Sequence, residues 1–365
     1  MPTIKDIARE ANVSVTTVSN VIHNKSTHVA PETIDRINKI IEAYNYAPNM
    51  SARSLVNKSS RIIGVINHLI PHQASSFLQD PFHGAFIGGI ERTLRLRGYY
   101  MMVRTVESEA EIMSLFRNWN LDGVILTGLF EDSFFERLVK TENPIVLLDS
   151  YIASDKIFNV GLEDYKGGLM ATQYLIDRGH RSIVFASPHI HKRGVIDERY
   201  KGYRQALKMA GIPFSLRNVY EQEITISEGI MLGQELSVRH DVSAVFATAD
   251  ILAAGIIAGL QSKGVRVPED MSIVGFDDLY ISRITNPQLT TIHQDADGKG
   301  AIAAGLMVDS LEGKAVPSRT IIMPVSLVER GSVAAPSPNF ASGPVKVRPI
   351  QGKKRTDRSS LSDFP

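Results

Sequence analysis

The chain has 365 residues, 43% of them hydrophobic and 22% charged, an ordinary globular composition with length for two or three domains. Cysteine is absent, which excludes disulfides, thiolate metal sites and a cysteine nucleophile. The formal net charge is +1, so any nucleic-acid contact must come from a local patch, and no apolar run reaches the length of a membrane span.

Taken from the N-terminus, Met1-Pro2-Thr3-Ile4-Lys5-Asp6 carries neither the basic nor the apolar stretch of an export signal, which sets a cytoplasmic expectation. Residues 1–47 read as three short helices. Thr3 suits the cap of the first, with Asp6 reaching back to it, and Ile4, Ile7 and Ala8 make its apolar stripe. Ser14 suits the cap of a second helix running to about Ile22, in which Val15, Val18, Val21 and Ile22 are apolar. Pro31 fits the first turn of a third, whose buried face is Ile34, Ile37, Ile41 and Tyr44. Two helices joined by a tight turn, the second opening with short polar and β-branched side chains, form a helix-turn-helix able to lie in a major groove. Val15 can touch a thymine methyl, Thr16 can hydrogen-bond a base edge, and Asn20, one turn on, can pair with adenine. Ser14, Thr17 and Asn24 suit phosphates, which position a domain without specifying sequence. A generic three-helix bundle is the alternative that spacing alone leaves open.

Residues 48–60 read as a linker in which Asn49 to Asn57 has helix propensity over about two turns, marginal for an isolated helix in water. From Arg61 the pattern becomes an alternation. Apolar runs at Ile62–Ile66, Tyr100–Val103, Gly123–Leu126, Pro144–Leu148, Ser182–Ala186, Ala244–Ala247 and Ser272–Phe276 predict strands. Helices are expected at about 83–98, 107–118, 166–178, 197–210 and 251–263. Such alternation means parallel sheet covered by helices on both faces, and the region is long enough for two sheets. Ligands of these folds sit outside the carboxyl ends of the strands, which singles out Asp149, Asp277 and Asp278 by position. Asp250 reads as a helix N-cap in preference to a ligand contact. No Gly-x-Gly-x-x-Gly follows the first strand, and no phosphate loop or catalytic triad is legible, so neither an enzyme nor a cofactor is expected. His68 with His72, and His189 with His191, read as loop histidines, and no metal is expected. Residues 331–365, rich in Pro, Ser, Gly, Lys and Arg, read as a disordered tail.

Thr3-Ile4-Lys5-Asp6-Ile7-Ala8, Val13-Ser14, Thr17-Val18-Ser19 and Asn45-Tyr46-Ala47-Pro48-Asn49 closely resemble the lactose-repressor and galactose-repressor family. The resemblance continues to Val328-Glu329-Arg330, through Leu121-Asp122-Gly123-Val124-Ile125, Gly179-His180, Arg199-Tyr200-Lys201-Gly202-Tyr203, Val274-Gly275-Phe276-Asp277-Asp278 and Leu289-Thr290-Thr291-Ile292-His293-Gln294. It implies an all-α helix-turn-helix DNA-binding domain plus an α/β periplasmic-binding-protein-like domain of two Rossmann-like lobes with parallel sheets. The lobes are expected at about 61–160 with 293–321, and at about 161–290 with 322–330. The implied function is a transcription regulator, expected to be a repressor. It would bind pseudo-palindromic double-stranded operator DNA as a homodimer, and a small-molecule effector, a sugar or sugar derivative, between the lobes would set its affinity.

By that resemblance residues 15, 16 and 20 read bases. Leu55 of a hinge helix wedges into the minor groove beside Ser51 and Ala52. Phe82, His83, Asp164, Arg193, Arg199 and Asp277 are the implied effector contacts. The chain departs from the family pattern at Ala30, where a capping Ser is usual, and at Ser51, where an apolar hinge residue is usual. It departs also at Tyr165, where Asn is common, at Ala249, where Asn or Ser often contacts ligand, and at Ile224, where an aromatic often stacks on it. Two arginines in the cleft would also admit a phosphorylated or acidic sugar. A sugar-binding protein of a transport system is the alternative that shares the α/β architecture, but it leaves residues 1–60 unexplained.

Overall fold

The computed structural model describes residues 2–22, 28–46, 59–68, 80–106, 108–128, 143–152, 157–316 and 318–337, with the single residues 78, 138 and 154. The first three helices are α1 (Ile4–Glu10), α2 (Val15–Ile22) and α3 (Pro31–Ala43). Asp6 accepts from the Thr3 N–H at 2.9 Å and the Thr3 hydroxyl at 2.7 Å, the expected reach back to the cap. Ser14 caps α2, its Oγ accepting from the Thr17 N–H at 3.0 Å. Asn12 turns the chain between α1 and α2 at φ 51°, a left-handed conformation that Asn tolerates. Ala30 offers α3 no side-chain cap, and Pro31 starts it with a preset φ. Ile7, Ala8, Ala11, Val18, Val21 and Ile37 close the small core between the three helices.

Two six-stranded sheets follow. In chain order the elements are β1 (Ile62–Asn67), α4 (Pro81–Leu96), β2 (Tyr100–Thr105), α5 (Glu109–Trp119), β3 (Gly123–Thr127), β4 (Ile145–Leu148) and β5 (Phe158–Leu162). Then come α6 (Asp164–Asp177), β6 (Ile183–Ser187), α7 (Val195–Met209), β7 (Val219–Glu221), α8 (Ile226–Leu236), β8 (Ala244–Ala247), α9 (Asp250–Ser262), β9 (Ser272–Asp277) and α10 (Ile281–Ile284). The chain ends its regular structure with β10 (Thr290–His293), α11 (Ala296–Leu311), β11 (Thr320–Met323) and β12 (Ser326–Val328). Lobe 1 has the order β11-β5-β4-β3-β1-β2, and lobe 2 the order β12-β10-β9-β8-β6-β7. All neighbours are parallel except β12, which runs antiparallel to β10. The central strands β3, β4, β6, β8 and β9 are buried on both faces, which is why they read as unbroken apolar runs.

The structure corrects three expectations. The chain crosses between the lobes after Leu162, His293 and Met323, because β5, β10 and β11 run past the boundaries placed near 160, 290 and 321. The expected tail begins as ordered chain, packed on lobe 2 as far as Ser337: Ser332 is buried, its Oγ donating to Ile273 O at 2.6 Å and accepting from the Thr290 N–H at 2.8 Å. The Ala334 carbonyl accepts from the Ser272 hydroxyl and from buried His180 in the same way, so this segment covers the starts of the interior strands β9 and β10. Asp250 is no N-cap: Ala249 holds the cap position, and the Asp250 carboxylate accepts from the Leu279 N–H at 2.8 Å and the Thr291 hydroxyl at 2.6 Å. Residues 338–365, and the hinge residues Ser51, Ala52 and Leu55 with most of the 48–60 linker, lie outside the described residues, as does Asn24.

Candidate functional site

On α2 the apolar side chains Val18 and Val21 point into the small core, which turns the intervening positions outward. Ser14, Val15 and Thr16 are exposed, with Val15 presenting an isolated methyl pair at the helix start; Thr17 and Asn20 are half-buried beside them. The structure therefore gathers Ser14, Val15, Thr16, Thr17 and Asn20 on the outer face and N-terminal turns of one helix. That is the geometry by which side chains reach base edges while capping groups reach phosphates. Ser14 Oγ and Thr17 Oγ1 stand 2.8 Å apart, so the two hydroxyls orient one another.

A second site lies between the lobes, at the carboxyl ends of their strands, as a cavity of about 270 Å³. Lobe 1 contributes Asp80, Phe82 and His83 at the start of α4, Gly128 after β3, and Asp149 after β4. Lobe 2 contributes the loop after β6 with His189 and His191, the first turns of α7 with Arg199, then Glu223, Ile224, Thr248, Ala249 and Asp277. Gln294, on the crossing after β10, also lines it. Asp80 caps α4 through the Phe82 N–H at 3.0 Å and holds His83 Nδ1 at 2.9 Å, which fixes the ring at the cavity wall. Asp149 and Asp277 leave their strands at φ 55° and 112°, in the left-handed region that few non-glycine residues adopt and that clusters at functional sites.

Beneath the cavity two networks join the polar groups. Arg199 donates Nε to Asp164 at 2.8 Å and a terminal nitrogen to Thr248 O at 2.8 Å, and its guanidinium lies 3.5 Å from the Phe276 ring centre. Tyr151 donates its hydroxyl to the other Asp164 oxygen at 2.8 Å. Burial pushes the Asp164 carboxyl up and Arg199 opposes it; burial, then Asp164, push the Tyr151 phenol up. Buried Lys299 donates to Asp149 at 2.7 Å and to Gln294 Oε1 at 2.9 Å, while Gln294 donates to Asp277 at 2.5 Å. Burial raises Asp277 to about 7, with Arg199 and Gln294 pulling against it. Asp250 is raised well above the carboxylate range by burial and then by Asp277.

Close helix packing places Arg199. A Cβ on Gly168 of α6 would lie 2.1 Å from Arg199 O, and one on Gly202 of α7 2.2 Å from Tyr165 O, so the two helices meet backbone to backbone. Of the residues anticipated from sequence, Phe82, His83, Arg199 and Asp277 line the cavity. Asp164 stands behind Arg199 instead, and Arg193, at φ 59°, is exposed and uses its backbone N–H to bind Asp197. Asp278 does not line it either; burial raises its carboxyl, but Arg330 and His293 hold it below its ordinary value. Sequence reasoning missed Asp80, Glu223, Thr248 and Lys299. Lys299 alone carried a signal, as a lone cation leading into the apolar run Gly300 to Val308. Among the described residues no group of three or more His, Asp or Glu could hold a metal ion, and no helix is long and apolar enough to cross a membrane.

Comparison with known proteins adds independent findings. The family description "Bacterial regulatory proteins, lacI family" matches residues 3–49, and "Periplasmic binding protein-like domain" matches residues 172–333. The chain is 31% identical over 340 residues to the HTH-type transcriptional repressor PurR of Vibrio atlanticus (strain LGP32), covering 91% of this chain and 99% of that protein. A solved complex of the transcriptional regulator CelR with cellobiose is 27% identical with a TM-score of 0.67, over 91% of this chain and 100% of that one. The lac repressor dimer bound to operator and the anti-inducer ONPF has the same fold, with a TM-score of 0.79 at 24% identity over 92% and 99% of the two chains.

Proposed function

Because the chain belongs to the lacI family of bacterial regulatory proteins, whose members bind operator DNA and small-molecule effectors and work as dimers, we propose that it is a cytoplasmic, homodimeric repressor controlled by a carbohydrate. Val15, Thr16 and Asn20 read bases, and Ser14 and Thr17 fix the register on phosphates. The effector occupies the cavity between the lobes, where Arg199, Asp149, Asp277 and Gln294 offer the donors and acceptors that paired hydroxyls need and Phe82 offers an apolar wall. One observation carries the carbohydrate reading: hydrogen-bonding side chains from both lobes line one cavity. The cellobiose held by the 27% identical CelR supports it. A ligand that touches both lobes binds their closed arrangement better than the open one, and only that difference can change the grip on DNA.

The test begins by selecting duplexes from a randomised pool and measuring affinity at fixed salt, with and without a panel of sugars. A selected palindrome should bind at least about a thousandfold more tightly than random DNA, and one or more sugars should shift that affinity. Asn20→Ala should relax preference at one operator position by about 1–3 kcal/mol. Equal, salt-sensitive binding to every duplex, indifferent to every sugar, removes the proposal.

A further inference from the structure

The charge of the cavity goes further than its shape. Among the described residues, the two cations of the networks beneath it already have carboxylates of their own. Arg199 spends Nε on Asp164 and another nitrogen on a carbonyl, and Lys299, 1% exposed, is spent on Asp149 and Gln294. Against them stand Asp80 and Glu223 at the wall and mouth. Burial and then neighbouring His189 disfavour a positive charge on His191. The expectation that two arginines would welcome an acidic sugar rested on Arg193, which does not line the site.

Helix N-termini are the other places where an anion could be held, and three of them open on this cavity. Each carries its own acid. Asp80 accepts from the first turn of α4. Asp197 and Glu198 occupy the first turn of α7, and Asp250 begins α9. An incoming phosphate would meet a capped N-terminus on α4, acids in the first turn of α7, a Lys299 already engaged and the carboxylates of Asp80 and Glu223.

We propose that the site selects an uncharged, hydroxyl-rich ligand and rejects its phosphorylated or carboxylated counterpart, with the carboxylates of Asp80 and Glu223, neither of them paired to Lys or Arg among the described residues, providing the discrimination. The inference rests on the carbohydrate reading above and deepens it. Hydroxyls can donate to carboxylates that a phosphate dianion can only repel.

The experiment is calorimetric titration of the full chain, at neutral pH and moderate salt, with matched pairs: ribose and ribose 5-phosphate, glucose and glucose 6-phosphate, galactose and galacturonate, cellobiose and cellobionate. Where the neutral member binds, its charged partner should bind at least about tenfold more weakly, with the gap shrinking as salt is raised. In Asp80→Asn/Glu223→Gln the ratio of the two affinities should narrow about fivefold. Asn can keep the α4 cap, and Glu223 is exposed, so the variant should fold; a thermal melt checks this. A charged member that binds as tightly as its neutral partner, or an unchanged ratio in the folded variant, overturns the inference and leaves the carbohydrate reading intact. Binding by no member of any pair removes the carbohydrate reading and this inference with it.

Discussion

Asp277 combines a left-handed backbone with a buried carboxyl, and each property has a measurable consequence. Burial raises its pKa to about 7, so the folded chain holds this proton more tightly than the unfolded chain does. The stabilisation from the protonated form is complete at about pH 4 and is lost as pH rises through about 7. Asp277→Asn fixes a neutral side chain that can still accept from Gln294. The difference in melting temperature between variant and parent should therefore grow across that window and reach a few degrees at about pH 8; a difference constant with pH would show that Asp277 is ionised throughout. Arg199 poses the opposite problem. Its removal leaves Asp164 buried and uncompensated, so Arg199→Ala should cost about 3–5 kcal/mol by denaturant titration as well as the effector response. Arg199→Lys keeps the charge but not the fork that serves Asp164 and Thr248 O together, so it should keep most of the stability while effector affinity falls. Equal loss of stability in both variants would contradict this division.

At the scale of elements the helix pair α6 and α7 sets where that arginine stands. Gly168→Ala forces the backbones apart at Arg199, and overpacking of this kind costs about 1–3 kcal/mol. Effector affinity should fall with it while operator affinity in the absence of effector stays near the parent value. Gly305→Ala in α11 is the contrasting case: a Cβ there meets nothing within 4 Å, and the helix should gain about 0.5–1 kcal/mol. The same glycines explain what sequence reading reached. The buried strands and the helices over 81–96, 164–177 and 195–209 were legible, to within a few residues, because apolar runs and amphipathic stripes mark them. The helices α8 and α11 were not, because glycines depress helix propensity in both: Gly229 and Gly233 in one and Gly300 in the other stand where close packing requires them, and Gly298 and Gly305 add to the effect in α11. β5 was hidden by Asn159 and Gly161 within an otherwise apolar run. The cavity was half legible. Residues at strand ends can be placed from topology, but Glu223 and Thr248 reach it through loop paths and a strand-end turn that no periodicity encodes, and Arg193 misses it through a single left-handed turn.

At the scale of the molecule, the cavity and the exit toward the DNA-binding helices lie at opposite ends of the lobe 1 sheet. β1 enters that sheet at Ile62 and spans six residues, about 20 Å at 3.3 Å each. At its start Asp122 collects the incoming chain: Ser59 Oγ at 2.5 Å, the Ser60 N–H at 2.8 Å, Ser60 Oγ at 2.9 Å and the Arg61 N–H at 3.0 Å all donate to its two oxygens. A ligand at the far end cannot touch this junction, so any effect it has on DNA binding would have to travel through lobe 1, and Asp122 is the group that ties residues 59–61 to that lobe. Asp122→Ala removes the anchor without altering the cavity. Effector affinity should stay within about twofold of the parent, because sites this far apart with no shared partners act nearly independently. The change in operator affinity that the effector produces should shrink severalfold. By linkage, the effect of operator on effector affinity must shrink by the same factor, so calorimetry on DNA-bound and free protein gives an independent measure of the same coupling. An effector-induced change in operator affinity that survives Asp122→Ala at full size would place the transmission elsewhere, in the pairing of two chains and not in the tether between one lobe and its DNA-reading helices.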